Sequence, residues 1–147
     1  MKSEKKTKIV EWYSAERMHN MSKTWLSELN FIKDEQIFLE ELLTDYTHKI
    51  IEAEILDRAK IVTTALLRTT RGNQLLINDL TKHEKELSLM VDGKDEIEKE
   101  EQYKEDHRTL TKTLSSFFYD YKAVKFEVFE LVKRLMKTDK DEHLLNK

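Results

Sequence analysis

The stretch Leu114-Ser115-Ser116-Phe117-Phe118-Tyr119-Asp120-Tyr121-Lys122-Ala123-Val124-Lys125-Phe126-Glu127-Val128 decides the fold. Leu114, Phe117, Tyr121, Val124 and Val128 recur in steps that alternate three and four. That spacing lays one apolar seam along an α-helix and is incompatible with the two-residue alternation of a strand. The seam extends to Tyr103, His107 and Leu110 on one side and to Leu131 and Leu135 on the other. Phe118, Phe129, Val132 and Met136 are expected to widen it into the broader stripe that a bundle buries.

Two further seams have the same period. One runs through Met18, Ser22, Trp25, Leu29, Ile32, Gln36, Leu39, Leu43, Tyr46 and Ile50, widened by Leu26 and Leu42. The other runs through Ile55, Ala59, Val62, Leu66, Thr69, Asn73, Leu76, Leu80, His83, Leu87 and Met90. The spacing predicts an all-α, coiled-coil-like antiparallel up-down-up bundle of three long helices, at about 9–50, 54–91 and 96–138. One domain covers 1–147, with frayed ends at 1–8 and 140–147.

The chain reversals are sparsely marked. There is no proline, and the glycines are Gly72 and Gly93. Val91-Asp92-Gly93-Lys94-Asp95 reads as a turn, because Gly93 suits a helix C-terminus and Asp95 an N-cap. The first reversal is expected near Ile50–Ala53, where no glycine stands; one continuous helix from about 10 to 91 is the competing reading. A second variant breaks the first helix at Asn20–Ser22, with Ser22 as N-cap. It packs residues 8–19, with Ile9, Trp12 and Tyr13, as a separate short helix. Gly72 lies inside a seam and reads as a tolerated glycine or a close helix contact.

Composition excludes several function classes. Without cysteine there is no disulfide, thiolate metal site or cysteine nucleophile. A net charge of −3 gives no basic excess for nucleic acid. No run approaches the ~18 apolar residues of a membrane span, and no apolar signal segment follows the lysines at 2, 5, 6 and 8. A cytoplasmic location is expected. No phosphate-cradling loop and no Gly-x-Ser-x-Gly occurs.

Layer counting brings polar seam residues together. If antiparallel neighbours pair as the turns imply, Gln36, Thr69 and Tyr121 fall near one level, with Asn73 a turn away, and are expected to fix register by hydrogen bonding. His83 and His107 should share a layer, and His19 comes to nearly that level, with Glu16 one turn before it. Three imidazoles and a carboxylate are a candidate zinc or iron site. Glu16-Arg17-Met18-His19 also has the Glu-x-x-His spacing of di-iron bundles, although the second motif and the extra inward glutamates are lacking. The plainer reading is a hydrogen bond between His83 and His107 or to a neighbouring carboxylate, with a pH response near 6.

Three function readings follow. The first is a non-enzymatic interaction or structural module that self-associates or docks a protein partner through Tyr119 and Phe126. These share a face offset from the seam, and Leu67 is similarly offset; the N-terminal segment with Trp12 and Tyr13 is another candidate to cover that face, and the flank of a wide core stripe is the plainer reading of it. The second is metal binding by His19, His83, His107 and Glu16. The third is a regulatory protein that docks a basic partner through its acidic 92–106 region, though acidic residues also suit the exposed start of a helix.

One segment carries a resemblance. His19-Asn20-Met21-Ser22-Lys23-Thr24-Trp25-Leu26-Ser27-Glu28-Leu29-Asn30-Phe31-Ile32-Lys33-Asp34-Glu35 resembles the start of a group of uncharacterised small helical proteins of Bacteroidetes-type bacteria. Asn73-Gln74, Leu80-Thr81-Lys82-His83 and Asp106-His107 resemble it too. The likeness covers about 19–136 and implies a bacterial, cytoplasmic helical protein with histidines at 19, 83 and 107. It implies no reaction and no cofactor.

Overall fold

The computed structural model describes residues 14–91 and 97–145. The described residues are helical throughout apart from short connections, with no strand among them. Helix α1 spans Ala15–Asp45, α2 Thr47–Glu52, α3 Leu56–Val91 and α4 Ile97–Leu145. No described helix is long and apolar enough to cross a membrane.

The start of α1 is set by Ser14. Its hydroxyl accepts from the Arg17 amide at 3.3 Å, while its carbonyl accepts from Met18 at 2.9 Å. That is an N-cap, and it sets the start of α1 at Ala15; residues 9–13 of the expected first helix lie outside the described residues. The break expected as an alternative at Asn20–Ser22 does not occur: α1 runs through it, and Ser22 is fully buried. Trp12, Tyr13 and the turn at Asp92–Asp95, with Gly93, lie outside the described residues.

The first reversal rules out a continuous helix from 10 to 91. At Tyr46 the helix is only interrupted, because Tyr46 still donates to Leu42 and Ile50 to Tyr46. The chain turns at Ala53–Glu54. Glu54 has φ 59°, its amide donates to the Ile51 carbonyl at 3.1 Å, and the Ile55 amide donates to Ile50 at 3.3 Å. This is a Schellman closure, with Ile50 and Ile55 supplying its apolar contact. Glutamate occupies the left-handed position that glycine usually takes. At the far end α4 reaches Leu145 rather than 138.

The residues group into two compact units, Met1–Phe31 with Gln74–Ser115 and Ile32–Asn73 with Ser116–Lys147. The first unit buries Met18 and Leu87 against Ala15 and Tyr103, and also buries Leu29, Leu76, Leu80 and Leu114. The second has a larger apolar core of Leu39, Leu43, Ile50, Val62, Leu66, Val128, Leu131, Val132 and Leu135 around Tyr121. The described seam positions are all buried or half-buried. Two of the widening positions are not: Phe129 is 46% and Met136 55% exposed. Within the first unit His19 meets Glu84, and Ala15 packs in the cluster of Leu87. Sequence number falls along α3 as it rises along α1, as between antiparallel neighbours.

Candidate functional site

In the first unit, α3 and α4 bring His83 and His107 together. His83 Nε2 and His107 Nδ1 are 3.3 Å apart, with ring centroids at 5.5 Å. Trp25 of α1 stacks on His107 with centroids 5.0 Å apart and planes at 28°. Burial disfavours a charged imidazole here. It pushes His107 down to about 4, with His83 adding to the effect. His83 is also lowered by burial, against the opposing pull of Asp106. The response expected near pH 6 is therefore displaced downward, and at neutral pH both rings are uncharged.

His19 does not turn to these rings for its partner. Its Nδ1 lies 3.2 Å from Glu84. Glu16 is exposed and borders a shallow surface depression with Ser14, Arg17 and Asn20. The donors that do converge among the described residues are His83, Glu86 and Asp106, whose ligand atoms lie within 4.8 Å of one another. They border a recess of about 260 Å³ that Asp79, Lys82, Thr109 and Leu110 complete. Neither His19, His107 nor Glu16 belongs to this group. The sequence reading named neither Glu86 nor Asp106 as a candidate ligand. The available signal was positional: Glu86 follows His83 by one helical turn, and Asp106 precedes the layer partner His107.

The acidic stretch is partly neutralised by its own helix. Lys104 sits 3.8 Å from Glu100 and 3.5 Å from Glu101, and Arg108 sits 2.9 Å from Glu105. These are the spacings of an ordinary solvated helix face.

In the second unit the polar layer forms as two separate sets. Gln36 Nε2 donates to Thr69 Oγ1 at 3.2 Å, while the Thr69 hydroxyl donates to the Leu66 carbonyl. Tyr121 belongs to the other set. Its hydroxyl donates to Glu35 at 2.6 Å, and Lys125 pairs with the same carboxylate at 3.2 Å. A groove of about 520 Å³ has Leu43, Ile50 and Ala59 as its buried lining and Leu56 and Leu67 as its exposed lining. On α4, Tyr119 is 78% and Phe126 64% exposed. Seven residues apart, they share one helical face. Phe129 and Met136, half-exposed and also seven apart, flank it.

No protein-family model matches this sequence, and no curated protein or solved structure does either.

Proposed function

We propose that this chain is a non-enzymatic helical interaction module that associates with a second copy of itself through the outer face of α4 in the second unit. The exposure of Tyr119 and Phe126, 78% and 64%, carries the reading. The buried side of the same helix segment already holds Tyr121, Val128, Leu131, Val132 and Leu135. The two aromatics are therefore surplus to the core of their own unit. A large apolar side chain gains roughly 1.5–3 kcal/mol on leaving water, so a continuous row of them favours a partner surface. Phe129 and Met136 extend the row, and exposed Lys122 and Lys133 punctuate it.

Sedimentation of the parent and of Phe126→Asp over a range of concentrations tests this. The parent is expected to associate as concentration rises and the variant to stay monomeric. Monomers of both at every concentration sink the reading.

A further inference from the structure

We propose that His83, Glu86 and Asp106 form a binding site for a divalent transition-metal ion of the zinc class. Two independent observations meet here. The three ligand atoms already lie within 4.8 Å of one another. His83 is only 4% exposed, lines the recess, and its Nδ1 is buried without a hydrogen-bond partner. A buried imidazole nitrogen left without a partner is costly in a protein interior, and a metal satisfies it.

The second ring nitrogen completes the logic. A ligating histidine holds its other N–H in a hydrogen bond that fixes ring and tautomer. His83 Nε2 faces His107 Nδ1 at 3.3 Å. With the proton on Nε2 donated to His107, the lone pair stands on Nδ1, the ring nitrogen that has no hydrogen-bond partner. Trp25, stacked on His107, holds that acceptor ring in place. His107 is thus a positioning residue for the site, not a ligand.

The fit needs a small contraction. Tetrahedral donors at about 2.1 Å from zinc lie roughly 3.4 Å apart. Glu86 and Asp106 are half-exposed, so rotamer changes there supply the movement, at Asp106 against the hydrogen bond that Gln102 Nε2 donates to its Oδ1 at 2.9 Å. One imidazole and two carboxylates suit zinc over calcium or magnesium, which prefer all-oxygen sites. The two carboxylates balance the ion's charge, and the recess leaves a coordination position for solvent.

The experiment uses the full chain, stripped with a chelator and titrated with Zn2+ by calorimetry. Co2+ serves as a second probe, read by its visible absorption. Glu86→Gln and Asp106→Asn remove ligands from half-exposed positions, and circular dichroism verifies that each variant folds. Glu16→Gln and His48→Ala are the controls, the latter because His48 and Glu52 form an exposed pair at 3.0 Å. The expected result is one Zn2+ per chain, with affinity about tenfold or more weaker in each ligand variant and unchanged in both controls. The proposal is overturned if the folded parent does not bind, if binding survives both ligand substitutions, or if it is lost in His48→Ala.

Discussion

At the scale of single residues, Glu54 and Tyr121 sit in settings that their side chains do not prefer. Glu54 closes the turn after α2 with φ 59°. An L-residue there is strained by roughly 1–2 kcal/mol, part of which glycine loses again through its freer unfolded chain. Glu54→Gly should therefore raise stability by about 0.5–1 kcal/mol, seen as a higher urea midpoint, whereas Glu54→Val should lower it. Tyr121 is 3% exposed and is pushed well above the ordinary tyrosine range, first by burial and then by the Glu35 carboxylate it donates to. The sign follows from proton counting. An unfolded tyrosine ionises near pH 10, before the folded one, so above that pH the unfolded chain holds fewer protons and stability falls as pH rises. Below about pH 10 the contribution is intact. Urea denaturation of Tyr121→Phe and the parent, at about pH 8 and about pH 11, should show a smaller alkaline loss in the variant; equal losses would refute the assignment.

At the scale of elements, Gly72 shows how a sequence signal and its structural meaning can part. The residue lies inside α3, and a Cβ built there would meet the Phe117 ring at 3.6 Å, an ordinary contact. The glycine is not needed for close approach. Gly72→Ala should stabilise the chain by roughly 0.5–1 kcal/mol through helix propensity, visible as a higher melting temperature. The seams were legible because periodicity reports burial directly: Leu29, Leu66, Leu80 and Val128 are all fully buried where the heptad put them. Termini were less legible, because they depend on single hydrogen bonds. Ser14 caps α1 without a glutamate at the reciprocal position to advertise it, and Glu54 turns the chain without glycine. The histidine layer illustrates the same division. Layer counting paired His83 with His107, but the choice of carboxylates depends on which side of each helix they leave from. Burial ranks a half-exposed Glu86 no differently from any surface glutamate.

At the scale of the molecule, two surfaces are candidates for the association proposed above, and salt separates them. The chain carries a net charge of −3, so copies repel one another weakly at neutral pH. The described part of the acidic region, Ile97–Asp106, would attract a basic partner through charges that salt screens within about 10 Å at 0.1 M. The face of Tyr119 and Phe126 acts through apolar area, which salt does not screen and which sulfate strengthens. Association through that face should therefore persist or tighten as ionic strength rises. Sedimentation at about 0.05 M and about 0.5 M sodium chloride distinguishes the two, because the Debye length shrinks severalfold across that range. Dissociation at high salt would place the contact on charged surfaces such as Glu100, Glu101 and Glu105. Persistence in the parent, together with loss in Phe126→Asp at both salt concentrations, assigns it to the aromatic face of α4.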